Sequence, residues 1–251
     1  MIFEFENLIT KENKVLELIK CFDGQRKNLL LTYINQHCFN VYNMHPIFKN
    51  VIDNEFYIYM DGIGVFIALK FLGIKNIQKF NASDLNERII ENYKTSSDKI
   101  FIVGGKFSEI DINFIKNKGV NVCGYQNGFF TTNEEQRIIN NIMTQDPKVI
   151  IIGMGVPKQE LFASKLNEYL DNKIIICVGN FLEFYIGKVK RIPKHFRNLG
   201  LEWLYRTIQE PWRLWKRYLG GIPLFVVSII IIKIKILLFH KDFSYYNKDH
   251  Q

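Results

Sequence analysis

The stretch Val149-Ile150-Ile151-Ile152-Gly153-Met154-Gly155-Val156-Pro157-Lys158-Gln159-Glu160 decides the fold. Four β-branched residues in a row read as a strand buried on both faces, the pattern of a parallel sheet. Glycines then end the strand. Pro157 stands where a helix is expected to begin, with helical pattern to Leu170. Strand, glycine turn and helix form the repeating unit of α/β folds, whose ligands bind beyond the carboxyl ends of the strands.

The same rhythm extends on both sides. Apolar runs predict strands at Asn28–Ile34, Phe56–Met60, Lys99–Val103, Val120–Tyr125 and Lys173–Val178. Between them lie helical stretches. An apolar stripe covers Asn7–Phe22, Pro46 opens a helix through Ile52, and further helices are expected near Gly64–Leu72 and Asp84–Tyr93. Gly104-Gly105 should turn into a helix ending near Lys118, and Thr132 with Glu135 has capping-box spacing ahead of a helix to Met143. The reading is a mainly parallel, Rossmann-like α/β sheet flanked by helices, occupying residues 1–186. The loops after Met60, Val103, Tyr125, Gly153 and Val178 are where a site is expected.

From Gly187 the pattern changes, so residues 187–251 read as a C-terminal appendage. It holds all three tryptophans and 13 Lys/Arg against 4 Asp/Glu, while the preceding residues hold 20 and 21. The net charge of +8 therefore lies in the tail. A basic end implies a polyanionic partner: nucleic acid, an anionic membrane or a phosphorylated ligand. Its apolar run, residues 222–239, is broken by Lys233 and Lys235.

Composition excludes other classes. With 47% hydrophobic and 23% charged residues among 251, the chain is neither disordered nor collagen-like. Cys21, Cys38, Cys123 and Cys177 are widely separated and form no CxxC, which argues against a disulfide scaffold, a zinc ribbon and a redox pair. A reducing compartment follows, and the acidic N-terminus has no signal-peptide pattern. The five histidines show no metal spacing and no DxD pair occurs, so neither a required metal nor a cofactor is expected.

Several residues have the chemistry for a site. Asp61, in Tyr-Met-Asp-Gly-Ile-Gly, follows a strand and precedes a helix; it suits a general base or a helix N-cap equally well. Gly104-Gly105-Lys106 lacks Walker spacing, and Gly153-Met154-Gly155 lacks the third glycine of a dinucleotide fingerprint. The glycines nevertheless let backbone approach a ligand. The amide end of a helix at Pro157 suits an anion, and Gln159 can donate or accept hydrogen bonds. Arg191, Arg206, Arg213 and Arg217 can bind phosphate oxygens bidentately; the alternative is a solvated face neutralised by Glu202 and Glu210.

Together, Asp61-Gly62, Gly153-Met154-Gly155-Val156-Pro157-Lys158-Gln159-Glu160, Arg191-Ile192-Pro193 and Gly200-Leu201-Glu202-Trp203-Leu204-Tyr205-Arg206 with Glu210-Pro211-Trp212-Arg213 resemble the WecG/TagA/CpsF bacterial glycosyltransferases, glycosyltransferase family 26. The resemblance covers roughly Asn28 to Leu219. It implies metal-independent, inverting transfer from a UDP-sugar donor, often of N-acetylhexosamine type, to a polyprenyl-diphosphate-linked sugar. Such reactions build teichoic acid linkage units, capsule and other surface polysaccharides. The resemblance makes Asp61 the base. It puts Asn35, Lys79, Gly124, Tyr125, Gly128, Gly153, Gly155, Gln159 and Glu183 at the donor, and Arg191, Arg206, Arg213 and Arg217 on diphosphate. Met60 stands where that family has Pro, Lys79 where it has Arg, Glu183 where it has Asp, and Ile192 where it has Ala.

The run 222–239 is about long enough to span a bilayer. Each lysine near the centre costs about 2.5–3.5 kcal/mol, and the two point ~200° apart on a helix. An interfacial or re-entrant anchor on the cytoplasmic face is therefore expected, supported by Trp212, Trp215, Tyr218 and basic residues on anionic lipid. A true span and a core helix packed in a homo-oligomer are the other readings. Two rival functions are a non-catalytic binder of UDP-sugar or lipid diphosphate, and a nucleic-acid binder. The long apolar segment argues against nucleic acid.

Overall fold

The computed structural model describes residues 7–24, 28–190, 202–209 and 211–239. Among them, seven strands form one sheet whose neighbouring pairs are all parallel. They are β1 (Leu8–Ile9), β2 (Asn28–Ile34), β3 (Phe56–Met60), β4 (Ile100–Gly104), β5 (Val122–Gln126), β6 (Val149–Gly153) and β7 (Lys173–Cys177). Their spatial order is β1-β3-β2-β7-β6-β4-β5. The inner strands carry the Ile, Val and Leu runs because both of their faces are covered.

Two helical layers cover the sheet. On one face lie α1 (Glu12–Lys20), α5 (Ala82–Asn92), α6 (Glu109–Asn117) and α9 (Phe181–Tyr185), packed through Val15, Leu85, Ile89, Ile115 and Phe181 on Leu29, Ile151 and Ile176. On the other lie α2 (Gln36–Met44), α3 (Pro46–Glu55), α4 (Gly62–Leu72), α7 (Glu135–Gln145) and α8 (Lys158–Tyr169), packed on Leu30, Ile150 and Ile175. The alternation of side chains along each strand feeds both cores, burying Ile150 and Ile152 on one face and Val149 and Ile151 on the other. Right-handed crossovers sort most helices: a step towards β5 places its helix on the first face, and a step back on the second. The long β3-to-β4 crossover contributes to both, with α4 on one face and α5 on the other.

The structure corrects three local readings and adds one helix. The first apolar stripe is not one helix: Leu8 and Ile9 pair with Ile58 and Tyr59 at the sheet edge, and α1 begins at Glu12. Two residues are too few to show a strand period. Helix α2 has little pattern of its own and is held by its cap, since Asn35 Oδ1 accepts from the amides of His37 and Cys38. The capping box uses Thr131 and Glu134, one residue earlier than expected, because Thr132–Glu134 forms a 3₁₀ turn. Gly104-Gly105 does not enter a helix directly; α6 starts at Glu109 behind a Ser108–Asp111 capping box.

Towards the C-terminus, helices span Glu202–Gln209 and Pro211–Trp215, and a π-helical turn, Lys216–Gly220, leads into the terminal helix Gly221–Phe239. The terminal helix docks on the body. Phe225, Ile229 and Ile232 are buried at i, i+4 and i+7 in the core that holds α2 and α4. The Phe225 and Phe39 rings meet edge to face at 5.3 Å, and Asn40 Nδ2 donates to the Gly221 carbonyl at 2.7 Å. Near the other end, Lys233 Nζ lies 3.5 Å from the Leu72 carbonyl at the end of α4. The opposite face leaves Val227, Ile230, Ile231, Leu237 and Leu238 exposed.

Candidate active site at the strand ends

Strands β2 and β3 pair with Ile34 beside Met60, so Asn35 and Asp61 leave the sheet side by side. Asn35 divides its amide between two tasks. Its oxygen caps α2, and its Nδ2 lies 3.4 Å from Asp61 Oδ2. Asp61 occupies the N-cap position of α4 but makes no side-chain cap bond to it. Its Oδ1 instead accepts from the Ala82 amide, at the start of α5, at 3.1 Å. The N-terminal end of α5 is a favourable place for negative charge. The half-buried carboxylate is thus oriented by two elements and is not spent on its own helix.

The glycines bring loops together. A Cβ on Gly104 would stand 2.5 Å from the Gly153 carbonyl oxygen, and one on Gly153 would stand 2.6 Å from that of Gly179. A Cβ on Gly128 would sit 2.9 Å from Gly104 Cα. The loops after β5, β4, β6 and β7 therefore meet backbone to backbone along the carboxyl edge. Gly124 lies within β5 against the Phe101 ring, and Gly155, with φ +80°, faces open space.

The polar residues of the Pro157-Lys158-Gln159-Glu160 segment tie these loops down. Lys158 Nζ donates to the carbonyls of Gly128 and Phe130, both at 2.9 Å, and lies over the Phe130 ring. Gln159 is fully buried. Its Oε1 accepts from the amides of Gly155 at 3.3 Å and Gly179 at 3.0 Å, and its Nε2 donates to Glu160 Oε1 at 2.7 Å. Thr32, on β2, donates to the same Glu160 oxygen at 2.8 Å. Burial pushes the Glu160 carboxyl up to about 7, against the opposing hydrogen bonds from Gln159 and Thr32. Its Oε2 has no partner among the described residues.

Tyr125 likewise turns inward. Its hydroxyl donates to the Gly105 carbonyl at 3.0 Å and accepts from the Phe107 amide at 2.9 Å, and burial raises its pKa. Lys79 is exposed on the segment before α5, three residues upstream of the amide that holds Asp61. Glu183, in α9, is half-buried near the carboxyl end of β7. Arg206, Arg213 and Arg217 belong to the appendage helices, but their side chains, like Arg191 as a whole, lie outside the described residues. The structure therefore brings Asn35 and Asp61 into one cluster and Gly153, Gly155 and Gln159 into a second. Gly128 and Tyr125 flank that second cluster on the β5 side.

Sequence reasoning passed over Thr32, Gly179 and the Ala82 amide, and it named Glu160 without placing it at the site. A signal was present for two of them. Thr32 is the one hydroxyl inside the apolar run Leu29-Leu30-Leu31-Thr32, and Glu160 is a carboxylate one turn into a helix that packs on the sheet. Nothing local marks Gly179 or the Ala82 amide, which matter only through residues distant in sequence.

Among the described residues no three His, Cys, Asp or Glu side chains gather as metal ligands. What the carboxyl edge offers is a positioned carboxylate, which can take a proton from a hydroxyl group, beside loops that meet backbone to backbone. The sequence profile described as the glycosyl transferase WecG/TagA/CpsF family matches residues 3–237. That match takes in every described strand, the Asp61 cluster, the loop-tying segment and all but the last two residues of the docked terminal helix. The chain belongs to the WecG/TagA/CpsF family of glycosyl transferases.

Proposed function

We propose that this chain transfers a sugar, of N-acetylhexosamine type, from a UDP-sugar to a polyprenyl-diphosphate-linked acceptor in the synthesis of a surface polysaccharide or teichoic acid. The observation that carries this reading is the Asp61 carboxylate, oriented by Asn35 and the Ala82 amide while standing clear of its own helix cap. A base so placed takes the proton of the acceptor hydroxyl as that oxygen bonds to the anomeric carbon. Attack comes from the face opposite the diphosphate. The bond from the anomeric carbon to the β-phosphate oxygen breaks, UDP leaves with the electron pair, and the configuration inverts.

The donor diphosphate is assigned to the loops around Gly153, Gly155 and Gly128, with Tyr125 and Glu183 on their borders and Lys79 on the side of Asp61. Arg191, Arg206, Arg213 and Arg217 are the cations that would balance charge on the departing diphosphate. Gln159 and Tyr125 serve this site by shaping its loops, because their polar atoms are engaged within the protein.

Residues 187–251 serve as the appendage that meets the anionic cytoplasmic face of the membrane. Residues 218–238 are long and apolar enough, by length and composition, to cross a bilayer. The buried stripe Phe225, Ile229 and Ile232 ties that helix along the body and favours a helix lying in the interface. Trp212, 89% exposed, is placed to anchor there.

The test is UDP release with membrane-bound polyprenyl-diphosphate-GlcNAc, across a panel of UDP-sugars, for wild type and Asp61→Asn. Acceptor-dependent release falling about 10³-fold in the variant supports the reading. Release unchanged in the variant removes Asp61 as the base, and failure of every UDP-sugar to bind removes the donor class.

A further inference from the structure

Glu160 is a buried carboxyl that the chemistry above does not use. It is 0% exposed, as is Gln159 beside it. An apolar side chain would fill the same space between β2 and α8 without the desolvation that a carboxyl brings. What an apolar side chain could not supply is an acceptor. Glu160 Oε1 receives two donors, the Gln159 amide at 2.7 Å and the Thr32 hydroxyl at 2.8 Å.

The far end of the same Gln159 amide holds two loops. Its oxygen binds the backbone amide of Gly155 after β6 and that of Gly179 after β7. Without Glu160 the Gln159 NH₂ would be a buried donor with no acceptor, which is unfavourable. The amide would then leave its seat for water and release both glycine amides. Thr32 ties the arrangement to β2, whose next turn carries Asn35 and thus the Asp61 cluster.

We propose that Glu160 is a positioning residue, which anchors the Gln159 amide and through it holds the Gly155 and Gly179 loops in the geometry that receives the donor's diphosphate. This rests on the assignment of those loops to a UDP-sugar. Glu160 does not touch the donor; it acts through Gln159.

The experiment uses the full chain in detergent micelles, labelled with ¹⁵N at glycine and glutamine. It compares wild type with Glu160→Gln, Glu160→Leu, Gln159→Leu and the double variant. The readouts are the Gly155 and Gly179 amide resonances and the affinity for UDP. In Glu160→Leu both resonances shift and UDP binds about ten-fold more weakly. Glu160→Gln keeps a carbonyl acceptor, so it retains wild-type resonances and affinity. In the Gln159→Leu background, Glu160→Leu adds no further loss. Unmoved glycine amides in Glu160→Leu overturn the proposal, as does an additive loss in the double variant. Glu160→Met replaces the leucine variant should that one not fold; if neither folds, Glu160 holds the fold and the proposal falls. Wild type that binds no UDP defeats the donor assignment, and the glycine resonances still decide whether Glu160 anchors Gln159.

Discussion

The Asp61 carboxylate rests against the Asn35 side-chain amide, with 3.4 Å between Oδ2 and Nδ2, although the two residues stand 26 positions apart in sequence. The same asparagine caps α2 with its oxygen, so one side chain serves both a helix and the proposed base. The two tasks can be separated. Asn35→Ser keeps an oxygen for the cap but loses the reach to Asp61, whereas Asn35→Ala loses both. The serine variant is expected to keep its melting temperature and lose about ten-fold in kcat, and the alanine variant to lose about 1 kcal/mol of stability as well. Thermal melts and UDP-release kinetics check this; equal kcat in serine variant and wild type would separate Asn35 from the chemistry.

Lys158 makes the second prediction. Its ammonium binds the carbonyls of Gly128 and Phe130 and so holds the loop after β5. Lys158→Met removes two charge-assisted bonds at a half-exposed position, which lowers stability by about 2 kcal/mol. With the loop released, KM for the donor rises about ten-fold while kcat changes little. A fall in kcat at unchanged KM would instead place Lys158 in the chemical step.

Glu160 titrates near 7 in the folded chain against an ordinary value of 4.5, because burial disfavours its charged form. Between those pH values the folded state holds more protons than the unfolded state, so stability falls as pH rises through the window. The loss is complete above pH 7 and is on the order of 3 kcal/mol. Its titratable neighbours Tyr59 and Cys177 stay neutral there, since burial raises both. Glu160→Gln removes the titration. It should raise Tm by roughly 5 °C or more at pH 8 and change it little at pH 5. Melts at the two pH values decide this, and the same shift at both would contradict it.

The exposed face of the terminal helix makes the last prediction. Ile231 is 47% exposed and Leu238 70%. Ile231→Glu with Leu238→Glu leaves the docked stripe of Phe225, Ile229 and Ile232 untouched. Sedimentation with vesicles of anionic lipid should fall several-fold, because charge on the apolar face opposes insertion. UDP release on a short-chain, water-soluble acceptor should stay at the wild-type rate. Undiminished sedimentation would move membrane contact to another surface.

The α/β architecture was legible from the β-branched runs, and β2, β3 and β6 begin and end where those runs do. Strand β1 and helix α2 were not. Leu8-Ile9 is too short for a period, and α2 is defined by a cap from Asn35 more than by an apolar stripe. At the site, Asp61 was legible by its place after a strand, yet its position alone left the cap and the base equally suited. Its bond runs to Ala82 and not to its own helix, which removes the side-chain cap and supports the proposed base.

The Pro157-Lys158-Gln159-Glu160 segment shows the division most sharply. Its composition marked it as important, and its residue types suggested a ligand. In the fold, its lysine, glutamine and glutamate bind the protein's own loops and strand. The sequence by itself determined where most strands, turns and helices lie, because hydrophobic period, proline and glycine act on neighbours along the chain. The tertiary structure alone decided what Asp61, Gln159 and Glu160 face. Each has a partner 20 or more residues away and, once buried, each polar atom must find its hydrogen bond among whatever the packed sheet brings near.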